Sequence, residues 1–187
     1  MNGHSPATTS AFSDREFRDV LGLFPTGVTV VTAMSSDGIR LGATISSFSS
    51  VSLDPPLVLF SLSRRAAAFK AWSAVDAFAI NILAEHQSAA STQFARAMTD
   101  KWDGVALEYG ANRCPLLTEA LASIECSSYQ KYDGGDHLIF VGRVDRLVVR
   151  NREESRPLLF FRGKYRRLGA EQAIPTPADA DQWLHGW

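Results

Sequence analysis

The sequence predicts a mainly β protein, an antiparallel barrel with a few peripheral helices. Three observations predict it. Apolar and β-branched runs recur at residues 28–33, 57–62, 78–83, 120–132 and 137–149, the lengths and compositions of strands. Turn chemistry joins several of them: Ser35-Ser36-Asp37-Gly38 and Asp133-Gly134-Gly135-Asp136 are hairpin signals. No GxGxxG follows a first strand and no GxxxxGK[ST] occurs, which argues against a doubly wound parallel sheet.

Taken in order, residues 1–12 are small and polar without periodicity and read as a tail. Ser13 and Glu16 have the spacing of a capping box, and Phe17, Val20, Leu21 and Phe24 follow at helical intervals, so a short helix is expected over 14–24. Pro25-Thr26-Gly27 ends it. Residues 28–33 and 39–45 read as a hairpin pair. The run 57–62 is nearly all apolar and reads as a central strand covered on both faces. Helices are expected over 66–74 and 86–98, with strands at 78–83 and 157–161. A long Gly-containing loop spans 100–114. That gives seven or eight strands and three short helices in one domain, 13–169, followed by an extension over 170–187. In the extension Trp183, Leu184 and Trp187 are too apolar for a free tail and are expected to cover the body or a partner subunit.

Whole-chain quantities exclude several classes. The chain has 187 residues, enough for a real core. It carries 19 basic against 20 acidic residues, a net charge of -1, so no electrostatic footprint points to nucleic acid or an anionic membrane. No apolar run approaches the roughly 18 residues of a membrane span, and the N-terminus lacks the pattern of a secretory signal. Cys114 and Cys126 are the two cysteines, too few for a disulfide framework or a zinc cluster. A cytoplasmic protein with two ordinary thiols is the expectation.

The most informative segment is Thr44-Ile45-Ser46-Ser47-Phe48-Ser49-Ser50, in which five of seven residues carry hydroxyls between hydrophobic strands. Short neutral donors and acceptors can face a polar ligand without burying a charge. Such a shelf beside an apolar platform suits a flat, half-apolar ligand with a phosphate tail; an edge strand with a solvated face explains it equally well. Asn81 is a polar residue inside an apolar strand, where an unpartnered amide would cost about 1–3 kcal/mol. It either bonds neighbouring backbone or meets a ligand's polar edge. His137, after the Gly-Gly-Asp turn, could donate to a ligand or move a proton near neutrality; a hydrogen bond to Asp136 accounts for it as readily. Arg64 and Arg65 follow a strand where a phosphate clamp or plain solvation would serve. Lys164, Arg166 and Arg167, interleaved with Tyr165, read as a guarded edge or a phosphate contact.

Four ordered motifs carry a resemblance: FPTGVTVVT from Phe24, the G-x-T-x-S-S-F-x-S-V-S-L-D-P-P-L-V-L run from Gly42, Asn81-Ile82-Leu83, and GGDH ending at His137. Together they resemble the flavin reductase family, and more narrowly the small reductase components of two-component flavin-dependent monooxygenases and related halogenases. The likeness covers about residues 14–168. It implies a split β-barrel homodimer that reduces FMN or FAD with NADH or NADPH and releases reduced flavin to a partner oxygenase. By the same resemblance Pro25, Thr26, Gly27 and Val28 lie along the flavin. Thr44, Ile45, Ser46 and Ser47 contact the ring edge and ribityl-phosphate tail. Asn81, Ile82 and Leu83 meet the ring, Ser63 and Arg64 approach the phosphate, His137 lies on the nicotinamide side, and Tyr165 helps close the pocket.

Hydride transfer between two stacked rings asks the protein for placement at about 3–3.5 Å rather than for a nucleophile or a metal. A site of Ser, Thr, Asn and one His suits that demand. One departure stands out: alanines occupy 66–68, where the family often places hydroxyls on the phosphate, so weakly held, exchangeable flavin is expected. A flavin carrier with little reductase activity, or a reductase for a corrinoid or another acceptor, are the competing expectations.

Overall fold

A computed structural model describes residues 11–97, 100–150 and 156–169 of the chain. The expected 170–187 extension, its tryptophans, Met98 and most of the 1–12 tail lie outside the described residues.

Helix α1 (Asp14–Leu21) starts with the expected capping box: Ser13 and Glu16 each bond the other's backbone N–H, at 3.2 and 2.8 Å. This hydrogen bonding holds the Glu16 carboxyl below its ordinary range. The helix buries none of its residues against its own chain. It ends at Gly22, earlier than the periodicity to Phe24 suggests, and β1 (Thr26–Gly27) follows. Strand β2 (Thr29–Met34) turns through Gly38, whose φ of 76° only glycine adopts without strain, into β3 (Arg40–Ile45). The serine run then divides. Its first part is a loop, and Ser49 and Ser50 open β4 (Ser49–Leu53), which pairs with β5 (Pro56–Ser63).

Helix α2 (Phe69–Ser73) leads to β6 (Ala77–Ile82); a 3-10 turn at Glu85–Gln87 precedes α3 (Ser88–Ala95). The long loop holds a small ribbon, β7 (Leu107–Tyr109) with β8 (Pro115–Leu117). Two long strands, β9 (Ala122–Gly134) and β10 (His137–Val149), form the dominant hairpin, and β11 (Leu159–Phe161) and β12 (Lys164–Arg166) a short one. The basic segment after 161 thus forms an edge strand, β12.

Seven strands form one antiparallel sheet in the order β3-β2-β6-β9-β10-β5-β4, and β1-β11-β12 form a second. The large sheet is not closed by a ladder: β3 and β4 are its edges. The gap is spanned by a side chain instead. Ser47 Oγ donates to the Ser61 carbonyl at 3.2 Å and accepts from the Ser61 N–H at 3.0 Å, so a hydroxyl does the work of one ladder pair at the split.

The core lies inside the curl. Phe60 stacks on Phe140 with ring centroids 4.8 Å apart, and Phe78 meets Phe60 edge-on at 5.1 Å, the geometries aromatic quadrupoles favour. Strand β5 is not covered on both faces as its composition suggests. Val58, Phe60 and Leu62 are buried, while Ser61 and Ser63 alternate with them on a half-open face. Period-two alternation places both serines on one side.

Bulges at Val141/Gly142 and Val144/Arg146 bend the long hairpin. A Cβ on Gly142 would collide with the Phe78 ring and come within 2.9 Å of Cys126 Cβ. Gly142→Ala is therefore expected to cost about 2 kcal/mol by overpacking, seen as a lower urea midpoint. Cys114 and Cys126 are buried and free; burial pushes their thiols up to about 11 and about 12, so neither is a thiolate at neutral pH. No helix among the described residues is long and apolar enough to cross a membrane.

Candidate functional site

The open face of β5 faces the edge β3 across the split, and between them lies a cavity of about 540 Å3. Its wall is set by register. In the β10–β5 ladder His137 pairs with Ser63 and Ile139 with Ser61, so both pairs present side chains to the same face. Thr44, Ile45, Ser46 and Ser47 line the opposite side, with Gly134 at the rim. Apart from His137 the lining carries no ionisable side chain. It is a neutral, hydroxyl-rich slot with apolar patches at Ile45, Leu62 and Ile139.

The hydroxyls do not all point inward for use. Ser47 is engaged with β5. Thr44 Oγ1 donates to the Ser91 carbonyl of α3 at 2.6 Å, so toward a ligand it retains acceptor capacity only. Ser46 is exposed in the loop and is shared with a second cavity of about 720 Å3, between α1 and the β11–β12 hairpin, where Thr26, Phe24 and Phe160 are neighbours.

His137 is half-buried at the mouth, and its Nδ1 lies 2.7 Å from Asp136 Oδ1. Hydrogen bonding from His137, then its charge, holds the Asp136 carboxyl below the usual carboxylate range. With Nδ1 so occupied, Nε2 is the nitrogen free to serve a ligand. The turn that carries His137 is itself clamped. Arg64 Nη2 donates to Asp133 Oδ2 at 2.7 Å, its Nε to the Gly135 carbonyl at 3.0 Å, and its backbone N–H to the Asp136 carbonyl at 2.9 Å.

The cavity therefore gathers Thr44, Ile45, Ser46, Ser47, Ser63 and His137, with Thr26 next door. Other expected residues stand elsewhere. Arg64 holds the His137 turn rather than facing a phosphate. Asn81 is fully buried and saturated: its Nδ2 donates to the Val30 carbonyl at 3.0 Å and Thr32 Oγ1 at 3.2 Å, and its Oδ1 accepts from the Leu117 N–H at 2.9 Å and Ser123 Oγ at 2.8 Å. An amide with two donors and two acceptor lone pairs has nothing left for a ligand rim. Val28 and Leu83 are core residues linked by the Leu83 N–H to the Val28 carbonyl at 3.0 Å, and Ile82 is half-buried beside them. Pro25 and Gly27 are exposed and line neither cavity. Tyr165 turns its hydroxyl to Ser91 Oγ at 2.8 Å, which fastens the β11–β12 hairpin to α3 rather than covering the cavity. Ser61 and Ile139 were not singled out from the sequence. Their signal was the alternation of Ser61 and Ser63 with Phe60 and Leu62, and the pairing of β10 onto β5.

Residues 21–169 match the flavin reductase like domain family. The chain is 37% identical over 180 residues, 95% of its length and 89% of the relative's, to the reductase subunit of a flavin-dependent monooxygenase from Rhodococcus jostii. Among solved structures it is similar to nitrilotriacetate monooxygenase component B from Mycobacterium thermoresistibile, with a TM-score of 0.83, 38% identity, and 90% of this chain and 93% of that one covered. It is also similar to a Streptomyces globisporus NADH:FAD oxidoreductase in complex with NAD and FAD fragments, with a TM-score of 0.79, 38% identity, and 86% and 96% covered.

Proposed function

Because this chain belongs to the flavin reductase like domain family, we propose that it is the reductase of a two-component system, reducing flavin with NADH and supplying it to a partner oxygenase. The observation that carries the reading is the neutral slot between β3 and β5. One wall comes from β3 and the loop after it and the other from β5 and β10, the lining is of hydroxyls and aliphatic groups, and one imidazole stands at its mouth. A flat tricyclic ring with a polar rim fits such walls, since no buried charge is left facing it.

When bound, flavin supplies the hydride-accepting ring and nicotinamide the donor. The chain's own residues do the placing. Ile45 and Ile139 offer apolar contact to ring faces, and Ser46, Ser61 and Ser63 offer short hydrogen-bonding groups to ring edge and ribityl chain. His137, fixed through Nδ1 by Asp136, holds Nε2 toward the nicotinamide side. Thr26 continues the lining into the cavity beneath α1.

We read residues 13–169 as the catalytic domain and a homodimer as its working form. Phe17, Val20, Leu21 and Phe24 are 50–74% exposed on and just after α1, an apolar face that a second copy would cover. Buried, unpaired thiols accord with a cytoplasmic setting.

The test is NADH oxidation by the purified protein with FAD, FMN, riboflavin or no flavin. Oxidation only when flavin is present supports a reductase. Flavin binding without oxidation supports a carrier instead.

A further inference from the structure

Ser63 is the last residue of β5 to pair with β10, and its partner is His137. One step on, Arg64 leaves the ladder and donates to three positions of the turn before His137. Nη2 reaches the Asp133 carboxylate, Nε the Gly135 carbonyl, and the backbone N–H the Asp136 carbonyl. The other oxygen of Asp133 accepts from the Gly135 N–H at 2.9 Å. From this network we infer that Arg64 and Asp133 are positioning residues for His137, holding its imidazole in register with the nicotinamide side of the slot; the inference rests on the reductase reading above.

The turn does not need them in order to form. Gly134 pairs with His137, which leaves Gly135-Asp136 as a two-residue loop, and a glycine at its first position suits a tight hairpin. Nor does the clamp add much to stability. The Arg64 and Asp133 side chains are 38% and 78% exposed, and ion pairs so open to water contribute little. What the turn lacks by itself is rigidity. Gly134 and Gly135 are adjacent, Gly135 at a φ of 74°, and glycine has the widest backbone freedom of any residue. Left free, that pair would pass its motion to Asp136, and so to the imidazole whose Nδ1 Asp136 holds. A misplacement of about 1 Å is enough to cost a hundredfold in rate. A clamp on an exposed turn thus serves position where it serves stability little.

Arg64 is itself held. Its guanidinium lies 5.7 Å over the Phe69 ring, and Phe69 packs on the core at the start of α2. Stacking of this kind takes the face of the planar group and leaves its edge to donate, and the fork then meets two acceptors at once. Support therefore runs from the core through Phe69 and Arg64 to the turn, and from Asp136 to His137.

The test measures kcat, KM and melting temperature in the wild type, Arg64→Ala, Asp133→Ala, His137→Ala and the double variant Arg64→Ala/His137→Ala, with NADH and riboflavin, FMN or FAD. Riboflavin carries no phosphate, so it separates positioning from phosphate binding. Arg64→Ala and Asp133→Ala should each lose about tenfold in kcat, to the same extent with riboflavin as with FMN. Flavin KM and melting temperature should change little. In the His137→Ala background Arg64→Ala should cost nothing more, because residues that act through one another are not additive; this cycle is read with whichever flavin the wild type reduces. A loss seen with FMN but not with riboflavin overturns the inference and gives Arg64 to the phosphate. So does an equal loss in both backgrounds, or a kcat unchanged in both clamp variants. A loss that tracks a fall in melting temperature in both makes the clamp structural and overturns it too. Wild-type protein that reduces none of the three flavins overturns the reductase reading beneath it.

Discussion

Asn81→Leu is expected to destabilise the protein by about 3–5 kcal/mol, among the largest effects of any single substitution outside the aromatic core. The amide ties together β2, β6, β9 and the end of β8 through four hydrogen bonds. Leucine removes all four and leaves the Leu117 N–H and the Val30 carbonyl short of a partner in a dry interior. At roughly 2–4 °C per kcal/mol for a domain of this size, the melting temperature should fall by about 10 °C. The KM for flavin of the folded fraction, measured well below the transition, should not move. An unchanged melting temperature with a raised flavin KM would return the amide to the ligand site.

His137→Ala should lower turnover by about a hundredfold, the low end of what a positioned hydrogen-bonding or proton-transferring side chain contributes, with flavin affinity retained. The pH dependence follows from the neighbour. Asp136 has its carboxyl depressed in the folded protein by the His137 hydrogen bond. The contact is therefore complete above the ordinary carboxylate range and is lost as pH falls through the depressed value. Turnover should hold its Asp136-dependent component through weak acid and lose it only below, and Asp136→Asn should remove that limb. Steady-state rates across pH for the three proteins check this. Equal rates for wild type and His137→Ala would make the histidine a turn residue only.

Much of the fold was legible in the residues. The capping box at Ser13, the turns at Gly38 and Gly135, and the long hairpin that turns just before His137 all follow from local chemistry that tertiary structure does not override. Part of the slot's lining could be named from the residues, because the serine run concentrates short hydroxyls between apolar strands. What local reading could not supply was direction. Arg64 and Arg65 are neighbours in sequence, yet it is the Arg64 guanidinium that holds the His137 turn. Asn81 looks equally polar whether its partners are a ligand or four groups of its own chain, and those partners lie 36 to 51 residues away. Strand β5 reads as nearly all apolar and covered on both faces because Ser61 is one residue among apolar neighbours, and only the β10 pairing shows that its face is a wall of the cavity. Likewise Ser47 closes the sheet, a role set by the curl of strands distant in sequence.

The most direct test of the central claim is anaerobic mixing of NADH with flavin and enzyme, following the loss of the oxidised flavin's absorbance, in wild type and in Ser46→Trp. Ser46 is exposed and stands where the slot meets the cavity beneath α1, so an indole there fills the proposed binding space without touching the core. The wild type should bleach flavin rapidly, and the variant should lose most of that rate while melting at the same temperature. Bleaching at equal rates in both proteins would place hydride transfer somewhere other than the slot between β3 and β5.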